Sequence, residues 1–226
     1  KVDAFARDVA EETHKELDRH GIGMLVLAGA EEMRVALERE LPEPVKKRIV
    51  GTVNLDIRAS ETDIVDAAAP EIERAERKNE RQAVQSVSDG VGAGTDGAGG
   101  PSDVLTALQS GQVMTLVMND DFEGKGWADF AMSAFGAGDL PTSHPLGGDV
   151  KDLVEIDLRE ELVRLAVQSG AEVEIVHTGM SDDADENRSS PNGDGGSIPR
   201  SDAATALDVF GSVGAILRYV IGDEPT

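Results

Sequence analysis

SDVLTALQSGQVMTLVM, residues 102–118, decides the fold class. SDVLTALQSG reads as a short helix with Ser102 as its candidate N-cap, and QVMTLVM as a strand rich in apolar side chains. Downstream, residues 120–149 are glycine-rich and predict an irregular insertion. Leu153 to Ser169 predicts a helix ended by Gly170. AEVEIVHT, residues 171–178, reads as a strand carrying Val173, Ile175 and His177. The polar stretch 180–201 predicts a second insertion, mobile in character. A last helix from Ala203 leads into FGSVGAILRYVI, residues 210–221, which fits a closing strand. An alternation of helices and strands implies a layered sheet with helices on its faces, an α/β fold.

Upstream, SDGVGAGTDGAGG (residues 88–100) holds six glycines and no apolar period, so it predicts a flexible linker. Before it lies a second α/β pattern. Val2, Phe5, Val9 and Leu17 mark an amphipathic helix ending near Gly21. IGMLVLAGA (22–30) reads as a buried strand, and Glu31 to Leu41 as a helix stopped by Pro42. IVGTVNLDI (49–57) is a β-branched strand run. Ser60 with Asp63 fits a variant capping box opening a helix that runs through residues 72–87. The chain starts at Lys1 already inside a helix, so residues 1–87 are expected to be the back half of a domain, and residues 101–226 a second one.

The charge is lopsided: 44 Asp and Glu against 21 Lys and Arg give a net −23, and only seven of the basic residues are Lys. With 39% hydrophobic residues and clear patterning, the acidity points to a carboxylate-coated surface over a small-residue core, not to disorder. Such a composition resembles that of proteins from salt-loving archaea. In dilute salt it excludes a broad basic patch for nucleic acid or an anionic membrane. The absence of cysteine excludes disulfide frameworks, thiol nucleophiles and cysteine zinc sites. No apolar run approaches the roughly 20 residues that span a bilayer, and no signal-peptide pattern is present, so a cytoplasmic location is expected.

Motif by motif, chemistry is scarce. Gly92, Gly94 and Gly97 match G-x-G-x-x-G, but they neither directly follow a strand nor open a helix, as a pyrophosphate cradle requires. Asp183, Asp185, Asn187 and Asp194 occupy positions of a calcium loop, yet Arg188 stands where that loop needs glycine. His14, His20, His144 and His177 show neither metal-ligand nor nucleophile–base spacing. No catalytic residue, cofactor-binding residue or metal ligand is assigned, and no cofactor is expected.

Family resemblance enters at the C-terminus. FGSVGAILRY, with Phe210, Gly211, Gly214, Leu217, Arg218 and Tyr219, resembles the closing motif of archaeal and eukaryotic class-1 peptide chain release factors. DVLTALQSGQVMTLVM resembles the helix and strand opening that family's third domain, with Leu108, Gly111, Val113 and Leu116 in register, and ELVRLAVQSGAEVEIVH the pair that follows. HGIGMLVLAGAEEM and RIVGTVNLDIRASETDIVDAA resemble the back half of its middle domain. In style the chain is also similar to the release-factor-like proteins of the Vms/Ankzf type and to Pelota-related ones.

The resemblance implies a partial ribonuclease H-like middle domain. It also implies a third domain of the Pelota and release-factor type, a three-layer α/β/α fold like that of kink-turn-binding ribosomal proteins. It further implies a role in translation termination or ribosome rescue. The partners would be the ribosome and peptidyl-tRNA, reached through the parent protein, with a translational GTPase or ATPase beside them. In the family a Gly-Gly-Gln loop of the middle domain helps water attack the peptidyl-tRNA ester. That loop would precede residue 1, so the parent is the candidate hydrolase and this stretch is expected to supply scaffold and partner contacts. Gly111–Gln112 sits at a helix-to-strand turn and is not a substitute for it. Some release-factor third domains hold a small zinc subdomain made by two Cys pairs. Here the matching stretch has only His144, and Trp127, Phe130 and Phe135 are expected to pack it instead, the alternative being an exposed docking patch. The competing reading is a non-catalytic RNA-binding or adaptor module.

Overall fold

The computed structural model describes residues 2–179 and 200–219. The chain divides into two compact units, Lys1–Asn79 and Glu80–Thr226. In the first, α1 (Val2–His20) and α2 (Glu31–Glu40) accompany β1 (Leu25–Ala28), the short α3 (Glu43–Lys46) and β2 (Ile49–Val53). β1 and β2 pair in parallel as a two-stranded sheet. Gly21, at φ +63°, ends α1 as its position predicts. The buried face of α1 is narrower than the apolar pattern suggested. Ala6, Ala10 and Leu17 go inside, while Phe5 is 58% exposed.

Ser60 and Asp63 form the expected capping box: the Asp63 N–H donates to Ser60 Oγ (3.2 Å) and the Ser60 N–H to Asp63 Oδ2 (2.9 Å). The hydroxyl and N–H of Ser60 hold the Asp63 carboxyl below its ordinary range. From this cap α4 runs over Glu61–Ala93, with Pro70 within it, and carries the chain from one unit into the other.

The second unit is built on a four-stranded sheet of order β3-β9-β4-β8. Its strands are β3 (Gly97–Gly99), β4 (Val113–Asn119), β8 (Glu172–Val176) and β9 (Val213–Leu217). β8 lies parallel to β4, and β9 antiparallel to both β4 and β3. Alternation along β4 sends Leu116 and Met118 to one face, where they pack with α5 (Pro101–Gln109) and α6 (Leu158–Ser169). Val117 points the other way, toward Val84 and Val87 of α4 and Ala204 and Leu207 of α7 (Asp202–Asp208). This is the three-layer α/β/α arrangement. Each fully buried Leu or Val in it contributes roughly 1.5–3 kcal/mol.

Three expectations are corrected. Residues 88–100 are not a linker. Residues up to Ala93 are helix and Gly97–Gly99 is a strand in the sheet, so the division falls before Glu80. The glycines serve a tight helix-to-strand turn. Gly94, at φ +66°, closes α4 in a Schellman pattern, with the Thr95 N–H on the Gly90 carbonyl (3.0 Å) and the Gly94 N–H on that of Val91 (3.1 Å). A Cβ on Gly97 would sit 2.5 Å from the Val91 nitrogen, so the strand lies against the helix only because both lack bulk there.

Second, residues 120–149 are not wholly irregular, nor does a helix begin at Leu153. β5 (Lys125–Asp129), β6 (Ala134–Ala137) and β7 (Val154–Asp157) make a separate antiparallel sheet of order β6-β5-β7. α6 starts only at Leu158, capped by Asp157, whose carboxylate accepts the Glu160 N–H. Third, Ser102 is not the N-cap of α5; Gly100 is, with Pro101 in the first turn. The calcium-like positions 183, 185, 187 and 194, and most of the insertion at 180–201, lie outside the described residues.

Candidate functional site

The family motif at 210–219 builds the last strand of the main sheet and reaches both of its faces. The Phe210 ring covers Gly99, whose added Cβ would meet its Cδ1 at 2.7 Å. Gly211, at φ +71°, ends α7, and Gly214 lies under Val87. Leu217 packs on the α5–α6 core. Arg218 reaches across to the end of α6, its guanidinium donating to the carbonyls of Ser169 (3.3 Å) and Gly170 (3.0 Å). A cation there satisfies carbonyls that the helix leaves open and opposes its dipole. Tyr219 is exposed, and its carbonyl accepts the Gln112 side-chain N–H at 3.2 Å. Gly111–Gln112 is thus a helix stop and a clamp on the last strand.

At the C-terminal ends of β4 and β8 a polar network forms that the sequence did not announce. Asn119 is fully buried. Its amide donates to the Ala204 carbonyl (3.1 Å) and to Asp208 Oδ1 (2.8 Å). Arg200 bridges Asp208 (2.7 Å) and Asp121 (2.5 Å), and Ser212 adds a 2.6 Å bond to Asp208. The Arg200 bond holds the Asp121 carboxyl below its usual range. For Asp208 burial pushes upward, but the bonds from Arg200 and Ser212 prevail and its pKa is lowered. Arg200 itself is raised further by its two carboxylates. Asp120 accepts from the Thr178 hydroxyl (2.6 Å) and N–H (3.2 Å). Ser201 ties back to the carbonyls of Thr178 (3.1 Å) and His177 (2.8 Å).

The small sheet holds a second unannounced feature. His144 and Asp129 are both buried and pair at 3.1 Å through Nε2 and Oδ2. His144 Nδ1 accepts the Leu146 N–H (3.1 Å), so Nε2 carries the proton and donates to the carboxylate. Asp129 also accepts the N–H groups of Met132 (3.0 Å) and Ala131 (2.8 Å). The Met132 bond, helped by those of His144 and Ala131, keeps its carboxyl below the ordinary range against the cost of burial. Zinc does not fit here: the chain has no cysteine, and both nitrogens of His144 are committed.

The three aromatics divide between packing and exposure. Trp127 lies across Gly136 on the neighbouring strand, where any Cβ would collide with the indole. Phe135 packs on the main core, under the Arg164 guanidinium at 5.8 Å. Phe130 meets Phe135 edge-on at 5.9 Å but is 64% exposed. His177 pairs with the buried Glu80 at 2.6 Å, while His14 and His20 lie on α1 beside Asp18 and Glu16. Among the described residues no cluster of three or more His, Asp or Glu is arranged to hold a metal. No helix among them is long and apolar enough to cross a membrane.

Comparison with known proteins places this architecture. Residues 1–74 match the model of bacterial archaeo-eukaryotic release factor family 10. Archaeal Pelota, from a model of ribosome-bound Pelota and ABCE1, superposes with a TM-score of 0.58 at 17% identity, over 97% of this chain and 50% of that one. Dom34 of S. cerevisiae, a translation termination-like factor that interacts with Hbs1, gives a TM-score of 0.58 at 13% identity, over 99% of this chain and 53% of its own. The C-terminal domain of a peptide chain release factor from Methanosarcina mazei aligns at 19% identity and a TM-score of 0.45, over 74% of this chain and 99% of its own. The fold is that of Pelota and Dom34. This chain spans about half the length of either. No curated protein matches it in sequence.

Proposed function

We propose that this chain is the C-terminal part of a release-factor-like protein that acts at the ribosome in translation termination or rescue. The observation that carries the proposal is the coincidence of two independent matches. A release-factor family model falls on the first unit, and the Pelota and Dom34 fold extends over both units. In this reading the first unit is the back half of a middle domain and the second a release-factor third domain. Residues Phe210–Tyr219 fix that domain's last strand and offer its exposed end to partners. Hydrolysis of peptidyl-tRNA, which the family assigns to a Gly-Gly-Gln loop of the middle domain, is assigned to no residue of this chain. The ribosome association of archaeal Pelota and the Hbs1 partnership of Dom34 suggest the same class of partners here: a ribosome and a translational GTPase or ATPase.

The net charge of −23 fits a cytoplasm rich in salt and an archaeal, halophilic source. At about 1 M salt the Debye length is roughly 3 Å, so repulsion from ribosomal RNA reaches little beyond contact. The test joins sequence to assay. Codons preceding Lys1 are expected to encode a Gly-Gly-Gln loop, and the full-length protein is expected to cosediment with ribosomes in concentrated KCl. An upstream sequence without such a loop removes the hydrolase. A full-length protein that never cosediments removes the ribosomal role.

A further inference from the structure

The small sheet has an edge that nothing in the described chain covers. β7 pairs only with β5, leaving its other side open. The ladder fixes which groups face outward. The Leu158 N–H donates to the Gly124 carbonyl at 2.9 Å, and on the far side of β5 the Gly138 N–H donates to that of Lys125 at 2.8 Å. Alternation of hydrogen bonds from these anchors turns Val154 and Ile156 toward β5 and the N–H and C=O groups of Glu155 and Asp157 away from it. Beside this strand runs a groove of about 710 Å³, lined by Phe122, Glu123, Lys125, Ile156 and Arg159 among others.

Charge and polarity along the edge are one-sided. The segment 149–157, DVKDLVEID, carries four carboxylates and one lysine. Val150 and Val154 stand 42% and 43% exposed within it. Lys125 and Arg159 are the cations of the groove, set against Glu123, Glu155 and Asp157. Unprotected edges invite pairing, and proteins blunt them with like charges that repel a second copy. Two β7 strands laid together would oppose Glu155 and Asp157 to their own kind.

We propose that the open edge of β7 takes an extended segment of a partner protein, alternating basic and apolar residues, as a further strand. Its backbone bonds with Glu155 and Asp157, its basic side chains meet their carboxylates, and its apolar ones meet Val154 and Ile156. The proposal does not depend on the translational role.

The test uses the whole chain and an end-blocked peptide of alternating valine and arginine. Hydrogen exchange is expected to slow at the Glu155 and Asp157 amides when the peptide binds, with affinity falling as KCl rises from about 0.15 to about 2 M. Glu155→Pro removes an outward N–H without touching the bonds to β5, and is expected to weaken binding about tenfold with the thermal midpoint retained. Glu155→Lys keeps the N–H and reverses the charge. It is expected to bind the arginine peptide less well and a valine–glutamate peptide better, and it serves equally should the proline variant not fold. Unchanged exchange at the two amides overturns the proposal. So does equal affinity of the wild type for both peptides, or protection that grows with protein concentration alone, which would make the occupant a second copy.

Discussion

The two units close over very different amounts of apolar surface. The core of the first consists of Ala10, Leu17, Leu27, Leu41 and Val45. The second fills both faces of its main sheet, with fourteen buried residues on the α5–α6 side and seven on the α4–α7 side. Where the first lacks core it uses charge: Arg7 with Glu40, Arg39 with Asp3 and Arg48 with Asp18 hold its helices and loops. Exposed pairs of this kind contribute at most about 1 kcal/mol each. A two-stranded sheet is also marginal by itself. The difference teaches that burial and surface charge are not interchangeable: the second unit is the stability reserve and the first is the part most sensitive to its surroundings.

Trp127, the single tryptophan, sits in the second unit and reports on it alone, while circular dichroism reports on both. The largest effect is expected from Leu162→Ala. This fully buried side chain lies at the centre of the larger core, and its loss costs about 2–5 kcal/mol. The urea midpoint seen by Trp127 fluorescence should fall accordingly. Leu27→Ala, the same deletion in the smaller core, should shift the dichroism transition and leave the fluorescence one in place. Coincident shifts in both variants would break the comparison.

Next comes Gly97→Ala, which forces a methyl against the α4 backbone and is expected to cost about 1–3 kcal/mol. Gly92→Ala, in the last turn of the same helix, meets nothing within 4 Å and should stabilise α4 by up to about 1 kcal/mol. Thermal melts of the pair separate a tight turn from a linker, since a linker would tolerate both equally.

The His144–Asp129 pair gives the second unit an acid limit. Because the folded pKa of Asp129 is lowered, its contribution is complete above the unfolded value of about 3.9 and is lost as pH falls through the folded one. The fluorescence midpoint should therefore decline below about pH 4, and Asp129→Asn should flatten that decline while lowering stability at neutral pH. The smallest effect is expected from Ser60→Ala. It deletes one cap of α4 at a cost of about 1 kcal/mol, visible in dichroism and absent from Trp127 fluorescence.

Much of this was legible in the sequence. The Ser60–Asp63 cap, the strands at Val113–Asn119 and Glu172–Val176 and the stop at Gly170 follow from local patterns, because one residue and its neighbours fix each of them. Residues 88–100 misled because glycine signals freedom in a loop and close approach in a packed turn alike, and only the partner surface distinguishes them. β5, β6 and β7 are four or five residues long, too short to show a period. The candidate site was least legible. Asp129 finds His144 and Asn119 finds Asp208 through tertiary folding, at separations no spacing rule encodes.

The ties at Ser201 have an engineering corollary. The strand that leaves at His177 and Thr178 and the helix that resumes at Ser201 are fastened directly to each other, with Arg200 locked onto Asp121 and Asp208 beside them. Closure of the fold at this point therefore does not depend on how many residues are strung between those fastenings. This is the place where the chain could be cut and its ends relocated, or a foreign domain spliced in, with the α/β/α body left standing.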